Sequence, residues 1–423
     1  MIRLVGGRVV DPGSGRDELA DLLIDDGRIV ERANGTAETV IDVSGYVVSP
    51  GFVDLHCHLR EPGFEDAETI ATGTRAAAAG GFTTVCALAD TRPSTDTGSD
   101  VESILTQARR DAVVRVLPVG TTTKQREGNE LSEMADMADV GAVAFSDDGR
   151  NVRSAGLMRH ALEYSLLVDR PISSHAEDAD LVDGGVMHEG PLATVLGLKG
   201  IPREAEEIAV ARDLALARLT GGRLHLAHLS TAGAVEQVRQ AKVRGVRVTA
   251  EVAPHNLLLS DTALTVKPYD TDARTDPPLR SEADARALLQ GLLDGTIDCV
   301  ASDHSPRRWI DKACEFEQAL PGISSLETAF GLLMRLVHAG ALSLPQLIGM
   351  LSYRAAQAWD LPYGTLAPGA PADVVVLDPD QAWLVDPERF FSKGKNSPLG
   401  GQTLRGTVLL TLAHGSIAYR NGL

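Results

Sequence analysis

Apolar positions in the middle of the chain come in short β-type runs, and most of them close on a polar residue. The runs are "FVDLHCH", "FTTVCALAD", "VVRVLPVGT", "GAVAFSDDG", "RPISSHAED", "RLHLAHLST", "VRVTAEVAPH" and "IDCVASDHS". Between them lie stretches with helical spacing, among them "AGLMRHALEYSLL", "EAEEIAVARDLALARL" and "EADARALLQGLLDG". Such alternation predicts a parallel sheet with crossover helices. Eight units over roughly 310 residues predict an α/β fold, a (β/α)8 TIM-like barrel. An open doubly wound sheet is disfavoured, because no GxGxxG follows a strand.

The two ends have a different pattern. "RLVGGRVVDP", "ADLLIDDGRIV" and "TVIDVSGYVVSPG" near the start, and "GTLAPGAPADVVVLDPD" and "LRGTVLLTLAHGSIAYRNG" near the finish, are short strands punctuated by Gly and Asp-Gly. That is hairpin chemistry. The expected division is residues 1–50 and 363–423 joined in one small β-sandwich, with residues 51–362 forming the barrel.

Composition narrows the function classes. Forty Lys and Arg against 58 Asp and Glu give a formal net charge of −18, which disfavours nucleic acid and anionic membranes as partners. Four cysteines without CxxC spacing read as reduced, mostly buried thiols. The start "MIRLVGGRVVDPGSG" lacks the pattern of a signal peptide, and no apolar run has the length of a membrane span. A cytoplasmic protein is the expectation.

The strand ends are where a barrel carries its chemistry, and here they are rich in His and Asp. His56 and His58 end the first strand, Asp147 and Asp148 the fourth, His175 the fifth, His228 the sixth, and Asp303 with His304 the eighth. Strand alternation puts His56 and His58 on one face and Cys57 on the other. It sets His228 with Leu224 and Leu226, and turns His225 toward the helices as a packed histidine. His255 reads as structural or as a partner to a ligand; His160, His188, His338 and His414 read as structural or surface residues. Four imidazoles and two carboxylates suit a borderline divalent ion, zinc first, with manganese or cobalt as substitutes. Six groups exceed the needs of one ion, so the expectation is one or two, with two sharing a carboxylate and a bridging hydroxide. Such a hydroxide is a nucleophile for an amide or imide carbonyl.

These motifs resemble the metal-dependent amidohydrolase superfamily. Within it, "SPGFVDLHCHLREPG", "AFSDDGR", "SHAEDADL", "LHLAHLSTAGAVE", "DPPLRSEADARALL", "DGTIDCVASDHSP" and "FFSKGKNSPLGG" make the chain similar, over nearly its whole length, to the class I bacterial dihydroorotase family. The resemblance implies that His56, His58 and Asp303 bind one zinc ion, that His175 and His228 bind a second, and that Asp148 bridges. A carboxylated lysine bridges in many relatives, but no lysine stands between Lys124 and Lys199. It further implies that Asp303 is the catalytic proton carrier, that Arg60 binds a substrate carboxylate, and that His58, Asp90, Asp276, Arg307, Pro321 and Gly322 line the substrate site. The implied reaction is reversible closure of N-carbamoyl-L-aspartate to dihydroorotate, in pyrimidine synthesis, by a homodimer. Alternatives are a related enzyme opening hydantoins, dihydropyrimidines or allantoin, or a silent subunit supporting aspartate transcarbamoylase.

The chain departs from the family pattern around the substrate. Asp90 and Asp276 stand where the family has asparagines, Arg307 and Asn256 where it has histidines, and Pro321 where a phenylalanine is usual. Arg60, Asp90 and Arg307 sum to +1, the charge of the family trio of Arg, Asn and neutral His. The expectation is therefore that Asp90 pairs with Arg307 and leaves Arg60 for the ligand.

Overall fold

A computed structural model describes residues 1–32 and 38–423. The N-terminal strands are β1 (Ile2–Asp11), β2 (Arg16–Asp25), β3 (Arg28–Val30), β4 (Thr39–Asp42) and β5 (Val47–Pro50). β1 is long enough to take two partners on one edge. Ile2 to Val5 run parallel to β4, and Arg8 and Val9 run parallel to β5.

The middle of the chain supplies β6 (Phe52–Cys57), β7 (Phe82–Ala87), β8 (Arg115–Pro118), β9 (Ile172–Ser174), the short pair β10 (Met187–His188) and β11 (Gly200–Ile201), then β12 (Leu224–Leu226), β13 (Val248–Val252) and β14 (Cys299–Val300). One parallel sheet has the order β6-β7-β8 and a second has the order β14-β13-β12-β9. Single parallel bridges join them. Phe145 links Gly120, just past β8, to Ile172 of β9, and His304, just past β14, meets Cys57 of β6. The pairings that start at β6 thus return to β6. The run "GAVAFSDDG", read as a full strand, forms bridges at Phe145, with further backbone hydrogen bonds at Val143, Ala144 and Ser146, before the chain turns out at Asp147 and Asp148. Helices Ile70–Ala79, Gly98–Asp111, Ala155–Val168, Glu204–Thr220, Ala232–Val243 and Glu282–Leu293 cross between the strands, and Ala155–Val168, Glu204–Thr220 and Glu282–Leu293 lie close to where helical spacing puts them. Every residue of β6 and β7 is buried, as expected of parallel strands covered on both faces.

The C-terminal strands β15 (Val374–Leu384), β16 (Thr403–Ala413) and β17 (Ser416–Arg420) complete the terminal sheet. β15 pairs antiparallel with β5, so both ends of the chain share one eight-stranded sheet. Leu4, Val9, Leu22 and Ile24 pack there with Val374, Val376, Leu410 and Leu412. A part-buried ion pair from Arg115 to Asp373, just before β15, at 2.6 Å, ties this sheet to β8. Cys57, Cys86, Cys299 and Cys314 are all free, and the first three are buried. Among the described residues no helix is long and apolar enough to cross a membrane.

Candidate active site

The His and Asp residues singled out at strand ends converge on one carboxylate. Asp148 Oδ1 lies 3.4 Å from His56 Nε2, 3.2 Å from His228 Nε2 and 3.7 Å from His175 Nδ1, and its Oδ2 lies 3.4 Å from His58 Nε2. Asp303 Oδ1 is 3.8 Å from His56 Nε2. Asp147 turns the other way, and its Oδ1 accepts the N–H groups of Thr122 and Thr123. Alternation alone does not bring His228 in, because β12 stops at Leu226. His228, Asp303 and Arg60 all take left-handed backbone conformations, at φ 32, 49 and 60°. Three such non-glycine residues at one site mark local strain held by the surrounding fold.

The donor set fits a divalent cation. His56 Nδ1 is 2.9 Å from Glu251 Oε1, and both residues are buried. This contact fixes the tautomer with the proton on Nδ1. His56 Nε2 is left buried without a hydrogen-bond partner, facing the Asp148 and Asp303 carboxylates. A cation there relieves the arrangement, either a proton on Nε2, since against burial Asp148 and Glu251 raise the His56 pKa well above its ordinary value, or a divalent ion between the groups. His58 repeats the arrangement, with Nδ1 at 2.7 Å from Asp90 and Nε2 toward Asp148. His56, His58 and Asp303 form one set within ligating reach, and His56, Asp148 and His228 form another. Burial alone would raise the pKa of Asp148, but His56 and His228 hold it well below the usual carboxylate range. Burial likewise opposes ionisation of Asp303, yet His255, 3.2 Å away, holds its carboxyl low.

A cavity of about 700 Å³ opens over this cluster. His58, Asp148, His175 and Asp303 line it together with Arg60, Asp90, Asp276, Arg307, Pro321 and Gly322. Gly322 has φ 136°, and a Cβ there would meet Ser305 O at 2.6 Å, so glycine is required where this loop crosses the strand-eight segment.

Comparison with known proteins decides the family. The Dihydro-orotase-like family model matches residues 45–234. A dihydroorotase of Anaeromyxobacter sp. (strain K) is 49% identical over 421 residues, covering 99% of this chain and 97% of that one. The chain belongs to the dihydroorotase family. A dihydroorotase of Syntrophus aciditrophicus is 47% identical, covering 99% of both chains. Among solved structures, an L-hydantoinase (dihydropyrimidinase) from Arthrobacter aurescens superposes with a TM-score of 0.89 at 26% identity, covering 100% of this chain and 96% of that one. A D-hydantoinase gives 0.87, also at 26% identity, over 100% and 95%. This chain therefore shares its fold with hydantoinases.

In this member of the dihydroorotase family one expected contact is corrected. Asp90 does not pair with Arg307. Its Oδ2 is ion-paired to Arg60 and its Oδ1 takes His58, because β7 lies beside β6 and delivers Asp90 next to both. Arg307 Nε instead donates to Pro321 O at 2.7 Å. Asp276 lies 3.7 Å from His175 Nε2, and burial together with the charge of Glu177 pushes it up to about 6. His188, read as structural or surface, is buried in β10, with Nδ1 3.5 Å from Arg280.

Sequence reasoning missed Glu251 and Glu177. Glu251 Oε2 also lies 3.1 Å from His225 Nε2, so one buried carboxylate holds two histidines. The signal was an acid in the middle of the apolar run "VTAEVAP". Glu177, two residues past His175, sits 3.6 Å from His175 Nε2.

Proposed function

We propose that this chain is a zinc-dependent dihydroorotase, which reversibly closes N-carbamoyl-L-aspartate to (S)-dihydroorotate in pyrimidine synthesis. The observation that carries this reading is the convergence of four imidazoles and two carboxylates beneath a cavity with buried arginine, in a chain of this family. His56, His58 and Asp303 would hold one zinc ion, His175 and His228 a second, and Asp148 would bridge. The orphaned His56 Nε2 supports that assignment. Bound there, zinc supplies a Lewis acid for the carbonyl and lowers the pKa of water.

The protein's own groups then handle binding and protons. In the opening direction a water oxygen adds to the ring carbonyl carbon, and Asp303 takes the proton. Asp303 returns that proton to the ring nitrogen as the C–N bond breaks, so one carboxylate serves as base and then acid. His255 orients it. Glu251 and Asp90 hold His56 and His58 in the tautomers that leave Nε2 free. Arg60, Asp90, Asp276, Arg307, Pro321 and Gly322 would shape the substrate site.

The finer architecture is part of the same reading. The ring of parallel pairings supports a (β/α)8 barrel over residues 51–362, and the two-partner edge of β1 supports a β-sandwich from residues 1–50 and 363–423. The family resemblance supports a cytoplasmic homodimer. The test is metal removal. Chelation should abolish dihydroorotate hydrolysis, and zinc should restore it as two equivalents bind per chain. Full activity in the stripped protein would refute the reading.

A further inference from the structure

The cavity holds two arginines that differ in what they have left to give. Arg60 is 4% exposed, and each of its three side-chain nitrogens is engaged. Nη1 meets Asp90, Nη2 donates to Ser305 Oγ at 2.7 Å, and Nε faces Pro306 O at 3.3 Å. Asp90 in turn has both oxygens taken, by Arg60 and His58. Pulling Arg60 toward a ligand would strand a buried carboxylate beside a histidine of the site.

Arg307 is in the opposite condition. Its backbone N–H is anchored on Asn396 Oδ1 at 2.9 Å, and Nε on Pro321 O. Among the described residues, its two terminal nitrogens have no hydrogen bond and no ion pair. The free Nη1–Nη2 edge of a planar fork suits bidentate capture of a carboxylate. Arg307 lines the same cavity as His58, Asp148, His175 and Asp303. Burial and the like charge of Arg60 lower its pKa to about 9, against the opposing pull of Asp90, Asp311 and Asp276. Arg60 and Asp90 are paired with each other, which leaves the terminal edge of the Arg307 fork to meet a carboxylate.

We propose that Arg307, not Arg60, grips the substrate carboxylate, and that Asp90 is the residue that withdraws Arg60 from that role. Arg60 then acts as a positioning residue, holding Asp90 against His58 and Ser305 against the cavity wall. This rests on the dihydroorotase reading.

The experiment is steady-state kinetics on zinc-loaded protein with dihydroorotate, for wild type, Arg307→Ala, Arg307→Lys and the double variant Arg307→Ala with Asp90→Asn. Melting temperature and bound zinc are measured for each. Losing a charge-assisted contact to the ligand predicts KM raised about 10- to 100-fold in Arg307→Ala, with kcat within about threefold. Arg307→Lys should lie between the two. The double variant should regain affinity over Arg307→Ala, because the Asp90→Asn change removes the charge that neutralises Arg60. Unchanged KM in Arg307→Ala, or a KM in the double variant no better than in the single, would overturn the proposal. Wild type that turns over no dihydroorotate would instead sink the functional reading on which it stands.

Discussion

Asp90 is ion-paired to Arg60 inside the cavity while its other oxygen reaches His58 Nδ1 at 2.7 Å. One carboxylate thus joins the substrate wall to the proposed metal cluster. Breaking such a buried pair leaves an uncompensated charge, which costs about 3–5 kcal/mol. Asp90→Ala should therefore lower the unfolding free energy of the metal-free protein by about that amount in urea titrations. A loss within experimental error would mean that the pair is solvated and has no such role.

Glu251 lies outside the lining of the cavity, yet it sets the tautomer of His56. Removing a carboxylate behind a metal-binding histidine typically weakens affinity about 10- to 100-fold. Glu251→Gln should show that loss in competition against a zinc chelator, and activity should recover at saturating zinc. Wild-type zinc affinity in this variant would contradict the arrangement.

Much of this was legible in the chain, and the exceptions have physical reasons. Period-two runs ending in His or Asp identified the strands and the residues at their tips, because alternation and strand direction are local properties. His228 was found although its strand ends at Leu226, and its left-handed φ of 32° is a tertiary effect with no local signature. The partner of Asp90 was misjudged because pairing depends on which strand lies alongside. β7 sits beside β6, so Asp90 meets Arg60 before Arg307 can compete. Glu251 was overlooked because a buried acid in an apolar strand acquires meaning only when its neighbours, His56 and His225, are known.

Glu327, at the start of helix Leu326–His338, gives a pH signature away from the cavity over the His and Asp cluster. Its carboxyl accepts the N–H of Ser392 at 3.1 Å, and burial pushes it up to about 7 from the usual 4.5. Between those values the folded state binds more protons than the unfolded state. Stability therefore falls as pH rises from about 4.5 to about 7, and this contribution is flat above that. Glu327→Gln removes the ionisable group. At pH 8 the variant should be more stable than wild type by on the order of 1–3 kcal/mol, with the two converging near pH 5. Parallel stability curves for the two proteins from pH 5 to 8 would contradict this.

The backbone is shared with hydantoinases, so the central claim rests on substrate choice. The most direct measurement is kcat/KM of the zinc-loaded protein for dihydroorotate, hydantoin, dihydrouracil and allantoin, side by side. A site whose buried cation expects a carboxylate should reject neutral rings, so dihydroorotate should be preferred by about a thousandfold or more. Turnover of hydantoin or dihydrouracil without turnover of dihydroorotate would contradict the account.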